Sequence, residues 1–189
     1  YKELAKTGDG ILLNKFYNEG SCATIAAAWA TKPGQCQWMA YGDSVVFHYS
    51  HQTGLLEHSF TRLADFSNPP RLISCKDPLE EGGFRSGIFH LEKTSVVFAA
   101  SDALSHYVLM MYELSKRSEF ERELMELRTK PTSNSQLLQM AEKEEFNFYD
   151  DVLIPLIRSA ESESAFKELM ETLYAKRLID IDDYTLAIL

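Results

Sequence analysis

The chain has 189 residues, 45% apolar and 12% aromatic, enough to bury roughly 70% of its unfolded surface as one globular domain over 1–189 without disulfides. A formal charge of -9 with no local Lys/Arg cluster argues against nucleic acid or an anionic membrane surface as partners. Even the run from Ala23 to Ala30, apolar but for Thr24, falls far short of the ~18 residues that span a bilayer, and Cys22, Cys36 and Cys75 lack the CxxC or CxH spacing of a zinc site, so a cytoplasmic protein with reduced thiols is expected.

Asp9-Gly10 reads as a turn before Ile11 to Leu13. Residues 20 to 60 read as a β meander. Thr24 to Ala30 has no polar face, which suits a strand covered on both sides. Lys32-Pro33-Gly34 turns the chain into a half-buried strand in which Cys36, Trp38 and Ala40 alternate with Gln35 and Gln37. Gly42-Asp43 interrupts the pattern before Val45 to Tyr49, as glycine does at a bulge or a close backbone approach. Gln52-Thr53-Gly54 leads into a further strand over 55 to 60.

Residues 61 to 87, punctuated by Asn68-Pro69-Pro70, Asp77-Pro78 and Glu81-Gly82-Gly83, read as a long, lid-like surface excursion. Strand character returns at Ile88 to Leu91 and Val96 to Ala100. From 104 to 178 the period is helical, with stripes at Tyr107, Met111 and Leu114, at Phe120, Leu124 and Leu127, and at Phe166, Leu169, Met170 and Leu173. Ser118 with Glu121 and Ser133 with Gln136 have capping-box spacing, and Pro155 is expected to bend or end a helix between Leu137 and Ala160. Thr185 to Leu189 forms a last apolar strand. Strands, then helices, then a returning strand predict an α/β-type sandwich whose helices cover a largely antiparallel sheet.

Two acidic signatures carry the chemistry. Ser101-Asp102-Ala103 ends an apolar strand, and Asp182-Asp183-Tyr184-Thr185 opens the last one. Carboxylates on neighbouring strand ends are rigid, hard oxygen donors of the kind a divalent cation takes. The plainer role for Asp102 is to cap the helix that follows, and one oxygen can serve each purpose. His48, His51, His58 and His90 lack ligand spacing, and Arg62, Arg71 and Arg85 lie where a phosphorylated substrate could touch them, although loop arginines are usually only solvated.

The order of four motifs, Gly20-Ser21-Cys22-Ala23, Gly42-Asp43-Ser44, Ser101-Asp102-Ala103-Leu104 and Asp182-Asp183-Tyr184-Thr185, resembles the C-terminal two-thirds of the type 2C metal-dependent serine/threonine protein phosphatases. The likeness is to bacterial members, which carry Asp-Ala-Leu and Asp-Asp-x-Thr where eukaryotic relatives have Asp-Gly-Leu and Asp-Asn-x-Thr. It implies an αββα sandwich of two antiparallel sheets flanked by helices. It also implies two Mg2+ or Mn2+ ions sharing a water that attacks the phosphorus of a phosphoserine or phosphothreonine. By motif position, Asp102 and Asp182 would be metal ligands. Asp43 and Asp183 would stand in the surrounding shell or at an outer metal, as would His106, which occupies a position where many relatives have an acid. A phosphorylated protein, a Ser/Thr kinase or its targets, is the implied partner.

The resemblance also implies an N-terminal part, with an Asp-Gly signature that bridges both metals, which residues 1 to 19 do not match. The alternative is a non-catalytic, phosphatase-like module that binds a partner through the 61–87 excursion or the helical face.

Overall fold

A computed structural model describes residues 20–189 together with Gly10, Asn14, Tyr17 and Asn18; Asp9 of the expected turn and the run 11–13 after it lie outside those residues. The described chain is mixed α/β, built from antiparallel sheets and helices. Nine strands are described: β1 (Cys22–Ala23), β2 (Ile25–Lys32), β3 (Gln35–Tyr41), β4 (Val45–Ser50), β5 (Leu55–His58), β6 (Ile73–Ser74), β7 (Phe84–His90), β8 (Ser95–Ala100) and β9 (Leu186–Ile188). They form a two-stranded sheet β1-β6, a three-stranded sheet β2-β3-β7 and a four-stranded sheet β5-β4-β8-β9, with every pairing antiparallel.

Side-chain alternation along β4 explains how the layers stack. Val45, Phe47 and Tyr49 point into a large core shared with the helices, whereas Val46 belongs to a smaller cluster with Cys36, Phe89 and Val97 between the two larger sheets. All six residues of β4 are buried, so this strand is the middle of a β–β–α stack. Phe47 stacks on Phe98 with ring centroids 4.8 Å apart across the β4–β8 pair. Gly87 lies opposite Trp38, and a Cβ there would sit 2.6 Å from the indole, so the glycine makes room for the ring.

The apolar run at β2 has a different cause from the one the sequence suggested. Among the described residues β2 is an edge strand with Ile25 and Trp29 exposed. Its inward Ala26 and Ala28 are small enough to let the two sheets approach, so the absence of a polar face reflects close packing on one side and not cover on both.

The 61–87 segment is also partly internal. A 3-10 turn at Leu63–Ser67 buries Leu63 and Ala64, Phe66 stacks on Phe60 at 4.1 Å, and a second 3-10 turn at Glu81–Gly83 leads into β7, which starts at Phe84 and not at Ile88.

The helical region divides into α1 (Asp102–Ser115), α2 (Glu121–Thr129), α3 (Ser133–Ala141), a π-helical turn at Phe148–Leu153, α4 (Ile154–Ser159) and α5 (Glu163–Ala175). Leu104 through Leu114 are all buried, so α1 is enclosed on every side instead of presenting a single stripe. The expected caps shift. Phe120, not Ser118, precedes α2 and makes no side-chain cap, while Thr132 caps α3 by accepting the Ser135 N–H. Pro155 stands where the π-helical turn passes without a break into α4, Leu153 and Ile154 both being in the right-handed helical region, so the expected interruption takes the form of a change in hydrogen-bond pattern along one helical run. No helix among the described residues is long and apolar enough to cross a membrane.

Candidate metal centre

Ser101 fastens the two acidic signatures together. It lies between the end of β8 and the first residue of α1, and its N–H donates to the Thr185 carbonyl at 3.1 Å. Its Oγ donates to the Asp183 carbonyl and accepts the Thr185 N–H, each at 3.1 Å. Ala100 pairs with Leu186 in the next register position, so the clamp extends the β8–β9 ladder. As a result Asp102 and Asp182 line one cleft of about 180 Å³. Asp183 does not line it. Its side chain is exposed, and its contribution is through the backbone, where the N–H donates to Asp182 Oδ1 at 2.8 Å and steadies that carboxylate.

Asp43 reaches the same cleft from the β3–β4 turn. Gly42 makes that turn with φ +91°, and a Cβ on it would lie 2.4 Å from Thr24 Cγ2 and 2.9 Å from the Arg71 carbonyl. The hydroxyls of Thr24 and Ser44 are hydrogen-bonded at 2.7 Å on either side of it. The glycine interruption seen in the sequence is therefore a close backbone approach that aims Asp43.

The electrostatics follow from this convergence. Burial raises the Asp43 carboxyl above the usual carboxylate range, and the charges of Asp102 and Asp182 push it further, against the opposing pull of its own backbone N–H and of Arg85. Asp102 is likewise raised by burial and by Asp182, with the Ala103 N–H pulling the other way. Half-buried carboxylates that repel one another across a cleft are relieved when a cation enters.

His106 also lines this cleft. It is 3% exposed, its Nε2 has no hydrogen-bond partner, and its ring meets Phe66 edge-on at 5.6 Å. Burial lowers it to about 4, so the imidazole is neutral at pH 7 and adds no positive charge to compete with a cation. Sequence reasoning missed Asp180, which lines the cleft two residues before Asp182. No local pattern signalled it, because Ile181 and Asp182 lie in a bend ahead of β9 and the spacing of Asp180 and Asp182 is not that of a strand face. It also missed Asn134, whose side chain donates to Ser67 Oγ at 3.3 Å and closes the side of the cleft where α3 begins.

The donors are oxygens of the hard type that Mg2+ and Mn2+ take, and those ions keep several waters, so a few carboxylates suffice as part of their shell. Among the described residues, no three or more His, Cys, Asp or Glu side chains converge tightly enough to enclose an ion. Asp102, Asp182 and Asp43 nevertheless line one cleft, and their carboxylate oxygens are of the type such a cation takes. Searches of family models, of curated proteins and of solved structures each returned no match to this chain.

Proposed function

We propose that the chain is part of a metal-dependent phosphoprotein phosphatase of the type 2C kind, acting on phosphoserine or phosphothreonine. The observation that carries this reading is the Ser101 clamp, which brings Asp102 and Asp182 to one cleft that Asp43 also lines. The order of the four motifs supports it. So does the stack of antiparallel sheets and helices, which is compatible with three layers of an αββα sandwich. In that reading a further helical layer would cover the outer face of the three-stranded sheet, where Ile25, Trp29 and Ile88 are exposed.

Mg2+ or Mn2+ held in this cleft would supply a metal-activated water and charge stabilisation for the transferred phosphoryl group. The chain's own residues do the rest. Asp102 and Asp182 hold hard oxygens in place on elements locked by the β8–β9 ladder, so little reorganisation is left to the moment of reaction. Asp183 fixes Asp182 through its N–H. Neutral His106 can share a proton with a water in the cleft without adding charge. Among the described residues lining the cleft, no nucleophile is paired with a base, which fits attack by water without a covalent phosphoenzyme.

The test is hydrolysis of p-nitrophenyl phosphate with and without Mn2+. Turnover that depends on Mn2+ and falls at least about 100-fold in Asp102→Asn supports the enzyme. Undiminished turnover in that variant would remove Asp102 from the site, and no turnover by wild type with Mn2+ would favour the non-catalytic module.

A further inference from the structure

A second cleft of about 250 Å³ shares the Asp43 wall with the acidic one and is lined by Arg71 and Arg85. Arg85 is the second residue of β7, on its inward face. One Nη donates to the Gly42 carbonyl, next to Asp43, and the guanidinium lies over the Phe60 ring at 5.0 Å. That leaves its other N–H groups without a described acceptor, on a rigidly held and partly desolvated cation. Arg71 stands across the cleft, where a Cβ on Gly82 would touch its guanidinium at 3.4 Å. Among the described residues its ion pair is to the exposed Glu80 and is loose at 3.6 Å.

The acids in this cleft are already committed. Asp65 accepts from Thr61 at 2.7 Å and from Arg62 at 3.0 Å, and Arg62 also holds Glu126. Asp43 faces the acidic cleft as well. In a chain of net charge -9, two guanidinium groups with spare donors therefore make a local anion-seeking surface beside the acidic cleft. The Phe60 ring and the Pro69-Pro70 pair give the cleft apolar sides suited to a peptide.

We infer that this cleft binds a second anionic group of the substrate, a carboxylate or a further phosphate flanking the phosphorylated residue, through Arg85 and Arg71. The inference rests on the phosphatase reading for what sits in the acidic cleft. It specifies the substrate as a phosphopeptide with acidic or multiply phosphorylated flanks.

The experiment compares three phosphoserine peptides that differ only in the flanking positions: Asp, a second phosphoserine, or Ala. With Mn2+ and wild-type protein, KM for the Asp-flanked or the doubly phosphorylated peptide should be about tenfold below that for the Ala-flanked one, with kcat little changed. A gain for the doubly phosphorylated peptide alone identifies phosphate as the anion, and a gain for both identifies general acidity. Arg71→Ala, an exposed site where folding is not at risk, should bring the KM values together while leaving p-nitrophenyl phosphate turnover intact, and Arg85→Gln should likewise bring the KM values together. Equal KM values in wild type, or a preference that survives both substitutions, would overturn the inference. Should p-nitrophenyl phosphate not be turned over at all, the phosphatase reading fails. The cleft is then read by fluorescence anisotropy of the same labelled peptides, where tighter binding of an anion-flanked peptide that Arg71→Ala removes supports it and equal binding of all three overturns it.

Discussion

Gly42→Ala tests how the candidate site is aimed. The substitution places a Cβ at φ +91°, which costs a residue with a side chain about 1–2 kcal/mol, and the new atom would stand 2.4 Å from Thr24 Cγ2 and 2.9 Å from the Arg71 carbonyl. The carbonyl is backbone and cannot swing away, so overpacking adds about 1–3 kcal/mol. The expected loss is about 2–5 kcal/mol by urea denaturation, together with a displaced Asp43. Thr24→Ser removes the Cγ2 methyl while keeping the hydroxyl that bonds Ser44, so the double variant Thr24→Ser/Gly42→Ala should recover about 1 kcal/mol of that loss. A Gly42→Ala protein within about 0.5 kcal/mol of wild type would refute the close-approach reasoning.

Ser101→Ala removes both Oγ hydrogen bonds of the clamp and should cost about 1–2 kcal/mol in chemical denaturation, while Mn2+-dependent phosphate-ester hydrolysis falls at least about tenfold because the two acidic signatures lose their register. Glu113 offers a pH-dependent check on the helical core. It is 4% exposed with Oε2 unpartnered, and burial, then the charge of Glu123, pushes its carboxyl up to about 7. Since the folded state holds this proton more tightly than the unfolded chain, the associated stability is full below about pH 4.5 and is lost as pH rises through about 7. Glu113→Gln cannot titrate, so its stability relative to wild type should rise by about 2–3 kcal/mol between pH 5 and pH 8, and a flat difference would contradict the burial argument.

What was legible in the sequence was mostly short-range. The alternation of Cys36, Trp38 and Ala40 gave β3, and the apolar runs gave β4 and β8, because strand period and burial there agree. The helical periodicity placed α1, but Leu104 to Leu114 packs on all sides, which a stripe of three residues could not reveal. β2 misled because alanine is apolar whether it is covered or merely close-packed. The start of β7 was hidden by Gly82 and Gly83, which resemble loop punctuation, although Gly83 is required because a Cβ there would sit 2.3 Å from the Tyr41 ring. At the candidate site, Asp102 and Asp182 were visible as strand-end acids and Asp43 as the residue after an interrupting glycine. Asp180 and the Ser101 clamp were not, since both depend on contacts spanning some 80 residues. The sequence marks His106 only by its motif position; its orphaned, neutral ring depends on burial against Phe66, which no local pattern encodes.

The most direct test asks whether positions 102 and 182 hold the same cation. Mn2+ binding can be followed by the loss of the free-ion electron paramagnetic resonance signal on titration with protein. Wild type should bind one Mn2+ that both carboxylates touch, with a Kd of about 1 mM or tighter, and Asp102→Asn and Asp182→Asn should each weaken that same binding event at least about tenfold, with a further loss in the double variant. Mn2+ binding that is unchanged in either single variant, or two separate Mn2+ sites of which each variant abolishes only one, would contradict a shared site.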